Sequence, residues 1–173
     1  MKVLISAFKP FNDFKNNYSM EVLQYVEDVD KTVLDVVYDE SYYELVNKYN
    51  LNDYDLIIAM GEARSRNEVT LETQAVNISS CSLKDNKGML KQNEAIMNGK
   101  DEILQTKVDL TKIKDIVSLS YDAGKFVCNN IYFHLLSEYP NKSLFIHIPN
   151  CNDSVDKYKE YAKLINKIIN ILK

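Results

Sequence analysis

Tryptophan is absent from the 173 residues, and histidine occurs only twice, proline and cysteine three times each and glycine four times. Two histidines, His134 and His147, at no ligand spacing with one another or with the cysteines, leave no recognisable metal site, so no metal is expected. Four glycines, none forming a loop after the first apolar run, remove the phosphate cradle that a nucleotide-binding α/β protein needs, and no cofactor is expected. Cys81, Cys128 and Cys151 are odd in number and irregularly spaced, which argues for free thiols rather than a disulfide framework. Basic residues are not in excess: 21 Lys and Arg against 25 Asp and Glu give a net charge of -4, and no field to attract nucleic acid or anionic lipid. Long apolar runs are missing too. The first apolar stretch, Val3 to Phe8, alternates like a strand and then meets Lys9-Pro10, unlike a secretory leader or a membrane span, so a cytoplasmic protein is expected.

What is present is ordinary for a globular chain, with 46% hydrophobic and 27% charged residues. Val3 to Phe8, Thr32 to Val37, Leu56 to Met60, Ile116 to Leu119 and Leu144 to Ile148 are short, β-branched-rich and nearly continuous, as strands covered on both faces are. Between them, Ser19 to Glu27, Ser41 to Tyr49, Lys125 to Glu138 and a C-terminal stretch with Tyr158, Tyr161, Ile165, Ile168 and Leu172 carry helical spacing. Alternating strand and helix predicts the α/β class: one domain over residues 1–173, a three-layer α/β/α sandwich around a mostly parallel twisted sheet. Cys81 to Leu110, polar and broken by Asn86-Lys87-Gly88 and Asn98-Gly99, is expected as loops near the sheet's edge.

Three residues could carry chemistry. Ser118 to Asn130 predicts a strand, a turn in which Asp122 or Gly124 starts a helix, and Cys128 in that helix's early turns, where the positive end of the dipole favours a thiolate. A buried structural cysteine beneath Phe126, Val127 and Ile131 is the competing reading. His147 stands near the end of the apolar strand Leu144 to Ile148, before Pro149, at the carboxyl edge where sites assemble in open α/β sheets, although a lone strand histidine is also a common core residue. His134, in mid-helix, reads as structural. Glu72 lies in the alternating stretch Glu68 to Asn77, on one face with Thr70, Gln74 and Val76, and an exposed strand carboxylate is its plainer explanation. Cysteine, histidine and an acid this far apart are the raw material of a thiol triad, but composition alone does not assemble one.

Four separated stretches resemble the pyroglutamyl peptidase I family of cysteine peptidases, in the family's order. Ser6-Ala7-Phe8-Lys9-Pro10-Phe11 with Asn17-Tyr18-Ser19 looks like its opening motifs, and Met60-Gly61-Glu62-Ala63-Arg64-Ser65-Arg66 like its glycine-rich stretch ending in arginine. Leu71-Glu72-Thr73-Gln74-Ala75-Val76-Asn77 resembles the segment with the family's catalytic glutamate. Ser120 to Asn129, followed by Phe145-Ile146-His147-Ile148-Pro149, resembles the nucleophile and histidine motifs and is the most specific match. Departures are visible as well: Asn12-Asp13 replaces paired glycines, Tyr18 replaces a proline, Glu62 replaces a glutamine, and three segments are shorter than the family's.

The resemblance implies an exopeptidase acting on peptides with N-terminal pyroglutamate through a thioester, with Cys128 as nucleophile, His147 as base and Glu72 as its orienting acid. It implies a ring pocket walled by Phe8, Phe11, Leu83, Phe126 and Val127, with Asn17 and Glu62 beside it. The Cys128 amide and Arg66 are the implied oxyanion donors. It also implies self-assembly as a dimer or tetramer, on segments this chain has shortened. Two other readings stay open: a ring-binding relative that has lost turnover, and a thiol amidase with a different small substrate.

Overall fold

The computed structural model describes residues 1–173 and contains eight strands and four α-helices. In chain order these are β1 (Val3–Phe8), α1 (Tyr18–Leu23), β2 (Asp30–Leu34), α2 (Glu40–Lys48), β3 (Leu56–Glu62), β4 (Thr70–Glu72), β5 (Gln74–Val76), β6 (Ile103–Gln105), β7 (Ser118–Ser120), α3 (Val127–Glu138), β8 (Ser143–Ile148) and α4 (Val155–Leu172). Six strands form one sheet in the order β2-β1-β3-β8-β4-β7. Every pairing in it is parallel except β4 with β8, which is antiparallel.

The apolar runs are continuous because both faces of the sheet are covered. Val3, Ile5, Ile58, Met60, Ile146 and Ile148 pack under α1 and α4, while Leu4, Phe8, Ile57, Ala59 and Phe145 pack under α2 and α3. The α/β/α layering expected from the sequence is thus present. No helix is long and apolar enough to cross a membrane.

Local boundaries differ from the sequence reading in ways that matter for the site. Glu68 to Asn77 is not one strand: β4 ends at Glu72, Thr73 turns away with its N–H donated to the Ser120 carbonyl (2.7 Å), and β5 pairs antiparallel with β6 in a separate two-stranded sheet. Glu72 therefore shares no sheet with Gln74 or Val76. Ile103–Gln105, expected as loop, is the partner strand β6. The rest of that excursion does not hang at the sheet's edge but folds over the α2/α3 side, where Asp85 accepts the Tyr38 N–H (3.1 Å) and Lys91 pairs with Asp39 (2.8 Å). Strand β2 stops at Leu34 and α1 at Leu23, each shorter than the periodicity predicts.

Helix α3 begins at Val127, with Phe126 at the N-cap and no side-chain cap. Asp122 does not start it; its carboxylate instead accepts the Gly124 N–H (2.9 Å), closing a turn in which Gly124 has φ 76°, a left-handed conformation that favours glycine. Two buried asparagines follow Cys128 and tie the helix to its surroundings. Asn129 accepts the Val76 N–H (2.9 Å) and donates to the Val76 and Ile78 carbonyls (2.9 and 3.1 Å), acting as an extra strand partner for β5. Asn130 accepts the Asp39 N–H and donates to the Asp39 carboxylate, both at 2.9 Å. His134, as expected, is structural, bonded to Asp39 (3.1 Å) and stacked on Tyr42.

Replacing Asn129 with alanine strands the backbone groups of β5, which lose their partners together. Asn129→Ala is expected to lower the unfolding free energy by about 1–3 kcal/mol, read as a lower urea midpoint at unchanged slope. A variant with the wild-type midpoint would show that water replaces this bridge at no cost.

Candidate active site

The carboxyl ends of β3 and β8, the end of β4 and the start of α3 converge on one point. Strand β3 places Gly61 opposite His147 in the neighbouring strand β8, and β4 places Thr70 opposite His147 on the other side. Above Gly61 sits Cys128: a Cβ built on that glycine would lie 2.5 Å from the Cys128 Sγ and 3.0 Å from the Phe145 ring. Glycine is required here for room rather than for backbone freedom. The thiol therefore rests directly over the strand beside the one that carries His147.

Glu72, fully buried at 0% exposure, accepts from His147 Nδ1 at 2.7 Å. A carboxylate can only accept, so Nδ1 carries the hydrogen and Nε2 is the basic nitrogen of the neutral ring. His147 Nε2 has no partner within the protein, and His147 and Cys128 line the same cavity. The Tyr132 hydroxyl donates to the Glu72 backbone carbonyl (2.8 Å), fixing the end of β4 from α3. The plainer reading of Glu72 as an exposed strand carboxylate is excluded by its burial.

Burial is the largest influence on charge in the cluster. Burial alone would raise the Glu72 pKa, but the hydrogen bond and charge of His147 outweigh it, with Arg66 adding to them, and hold the carboxyl below its ordinary value. Burial pushes His147 below its ordinary value of 6.5, against the pull of Glu72. Cys128 moves the other way. Burial first, then the negative charges of Glu62 and Glu72, push the thiol up to about 12, outweighing Arg66 and the hydrogen bond from its own backbone amide. Burial and the two carboxylates thus act against the partial positive charge of the helix start, which by itself favours a thiolate.

The cavity encloses about 130 Å³ and is lined by Phe8, Phe11, Asn17, Val36, Glu62, Ala123, Phe126, Val127, Cys128 and His147. An apolar cavity of about 150 Å³ accommodates benzene, so this one suits a single small ring. Its aromatic wall is braced internally: Phe11 packs on Phe126 and Phe14, and Tyr38 meets Phe126 edge-on. Of the expected pocket residues, Phe8, Phe11, Asn17, Glu62, Phe126 and Val127 are brought together. Leu83 is not; it is 38% exposed on the excursion, away from the cavity wall. Val36 and Ala123 complete the lining instead. Ala123 lies inside the nucleophile stretch and could have been inferred from it, whereas nothing in the local sequence marks Val36.

The polar residues of the expected set have partners that constrain their roles. Asn17 caps α1, accepting from the Ser19 N–H (3.0 Å) and hydroxyl (2.7 Å) while donating to the Lys9 carbonyl (3.1 Å). The Glu62 carboxylate accepts the Tyr18 N–H (2.9 Å) and Arg64 Nε (3.0 Å). Arg64 in turn spans the Phe14 and Tyr18 rings, 3.9 and 4.2 Å from their centroids, and reaches the Asn16 carbonyl. Asn12, at a position where the resembling family has glycine, adopts φ 54°, a left-handed conformation asparagine tolerates. Arg66, an expected oxyanion donor, is not among the cavity-lining residues, and its guanidinium bonds Glu72, Thr70 and the Asp122 carbonyl. The Cys128 N–H, in the uncapped first turn of α3, has no intrahelical acceptor.

A cluster of the half-buried Cys128 with the buried His147 and Glu72, beside a ring-sized apolar cavity, is found together with extensive likeness to known proteins. The pyroglutamyl peptidase family profile matches residues 1–169. A pyrrolidone-carboxylate peptidase of Brachyspira hyodysenteriae is 32% identical over 173 residues, covering 90% of this chain and 86% of its own length. One from Finegoldia magna is 33% identical, covering 86% and 78%. Among solved structures, pyroglutamyl peptidase I of Bacillus amyloliquefaciens superposes with a TM-score of 0.83 at 26% identity, covering 94% of this chain and 91% of that one. The pyrrolidone carboxyl peptidase of Fervidobacterium islandicum gives 0.86 at 25%, covering 99% and 98%. The chain belongs to the pyroglutamyl peptidase family, the cysteine omega peptidases that remove N-terminal pyroglutamate.

Proposed function

We propose that this chain hydrolyses the amide bond after an N-terminal pyroglutamyl residue with Cys128 as nucleophile, His147 as general base and then general acid, and Glu72 as the residue that orients the imidazole. The observation that carries the assignment is the 2.7 Å hydrogen bond from His147 Nδ1 to Glu72, which leaves Nε2 as the base on the cavity that also contains the thiol. Pyroglutamate is a flat, uncharged lactam, and an apolar cavity walled by Phe8, Phe11, Phe126 and Val127 suits such a ring.

The steps follow from the protonation states. Both Cys128 and His147 rest neutral, so attack on the pyroglutamyl carbonyl carbon is coupled to transfer of the S–H proton to Nε2. The tetrahedral oxygen receives the Cys128 N–H, which has no intrahelical acceptor, at the positive end of α3. Collapse breaks the C–N bond as Nε2 returns the proton to the departing amine, leaving a thioester. Water, deprotonated by the same nitrogen, hydrolyses the thioester to free pyroglutamate and the thiol. Glu72 stabilises the imidazolium at each transfer without taking the proton itself. Glu62 and Arg64 support the wall from behind, by tying α1 and the Phe14 turn to the end of β3.

Fluorophore release from a pyroglutamyl amide under reducing conditions tests the assignment. The wild-type chain is expected to turn over, Cys128→Ala and alkylated wild type not at all, and prolyl or glutaminyl amides to be poor substrates. Release by Cys128→Ala, or a folded wild type that prefers another amide, would overturn it.

The pH dependence has a definite sign. Because burial lowers the His147 pKa, the neutral base persists below pH 6.5, and kcat/KM should fall only as the pH drops through that lowered value. With the thiol at about 12, no thiolate step should appear across neutral pH, and iodoacetamide should react more slowly with the resting enzyme than with a small thiol. An acid limb above 6.5 would contradict the buried, neutral imidazole.

Gly61→Ala would drive a methyl group into the Cys128 sulfur and the Phe145 ring. A displacement near 1 Å at the nucleophile costs on the order of 100-fold in turnover, so kcat is expected to drop by about that factor in a folded variant. Retention of full activity would show that the thiol is not held where the strand places it.

A further inference from the structure

Arg66 Nη1 donates to Glu72 Oε1 at 2.6 Å and to the Thr70 hydroxyl, and Nη2 donates to the Asp122 carbonyl at 2.7 Å. One guanidinium thus joins the strand that carries the acid to the turn that feeds the nucleophile helix. We propose that Arg66 is a positioning residue that keeps Glu72 ionised and His147 neutral while fixing the turn that delivers Cys128. This rests on the peptidase assignment above.

The argument begins with Glu72. Its carboxylate is wholly buried, and both of its donors, Arg66 and His147, meet on Oε1, while Oε2 is buried without a partner. An ion so placed needs a countercharge, because removing the partner of a buried charge is far costlier than never burying the pair. The groups that face His147 from the elements packed around it are Glu72 from β4, Asp122 from the β7–α3 turn, Cys128 from α3, Glu62 from the end of β3, and Arg66 from the loop between β3 and β4. Arg66 is the one cation among them, since Arg64 is paired with Glu62. With it, the acid and the guanidinium sum to zero and the imidazole has no reason to hold a second proton. Without it, the uncompensated carboxylate draws a proton onto His147, and an imidazolium cannot accept the proton of the thiol.

The second half of the role is geometric. The Asp122 carbonyl belongs to the turn closed by the Asp122–Gly124 hydrogen bond, immediately ahead of Phe126 and the start of α3. A planar fork can hold a carboxylate and a carbonyl together, which an ammonium cannot do with the same geometry. This arrangement places the guanidinium on the Nδ1 side of the imidazole, away from the Nε2 side where an oxyanion would form.

Arg66→Met, Arg66→Gln and Arg66→Lys in the full chain separate these effects. For Arg66→Met, kcat on the pyroglutamyl amide is expected to fall by about 10- to 100-fold with KM little changed, the range for removing an orienting partner. Its acid limb should move to higher pH, and the His147 ring titration followed by NMR in a Cys128→Ala background should move with it; His134 is the only other histidine signal. Arg66→Lys should keep the wild-type acid limb, having kept the charge, yet still lose kcat, having lost the fork. Arg66→Gln carries the charge test if the methionine variant does not fold. A fall in kcat with the acid limb and the His147 titration both unmoved would overturn the proposal and return Arg66 to the oxyanion or to scaffolding. A wild-type chain without turnover would fail the peptidase assignment instead, and the NMR titration would still decide the role of Arg66.

Discussion

The hydrogen bond between His147 and Glu72 sets conditions on nearly everything around it. For a strand histidine to meet a carboxylate in a buried interior, the acid must arrive on an adjacent strand within side-chain reach, and Glu72 does so diagonally, two residues beyond Thr70, which stands opposite His147. In this sheet that is accomplished by β4, the one strand that runs against its β8 neighbour. Its three residues are followed by a departure at Thr73, so Glu72 sits at the strand's end rather than in its middle. The departure also frees β5 to pair elsewhere and to receive Asn129 from α3. The short antiparallel strand, the small second sheet and the bridge to α3 are parts of one solution to placing a single carboxylate.

In the proposed mechanism, that buried setting also decides how Cys128 is activated. A helix start offers partial positive charge, but the negative residues and the lack of solvent around Cys128 outweigh it. In the proposed reaction the thiol starts neutral and its proton leaves in the same step as bond formation. A site of this kind depends on the distance and direction of the base more than on a standing ion pair, which is why the glycine beneath the sulfur and the fork behind the acid matter.

The sequence reading was strongest where pattern reflects burial. The continuous apolar runs reported a sheet covered on both faces, and the order of the matching motifs pointed to the residues that the fold brings together. It was weakest where tertiary contacts override pattern. The alternation from Glu68 to Asn77 looked like one strand because period-two spacing does not reveal which neighbour each half pairs with. Ile103–Gln105 is too short and exposed to announce itself as a strand. Leu83 was placed in the pocket by likeness alone, while Val36, distant in sequence and chemically unremarkable, occupies the wall. Arg66 could be picked out as special, but which oxygen it faces depends on Glu72 and Asp122, residues on two other segments.

The paired asparagines after Cys128 have a consequence for how the enzyme can adapt to what enters it. Asn129 fastens the first turn of α3 to one side and Asn130 to the other, so this helix is moored at the end where the sulfur sits. The opposite wall of the cavity, from Phe11 to Asn17, belongs to a connecting segment held by Arg64, which lies over the Phe14 and Tyr18 rings and donates to Asn16, and by Asn17, which caps α1. Both walls are fastened by side chains that mostly stand outside the cavity, so the size of the ring it accepts is set as much by Asn129, Asn130 and Arg64 as by the residues that line it.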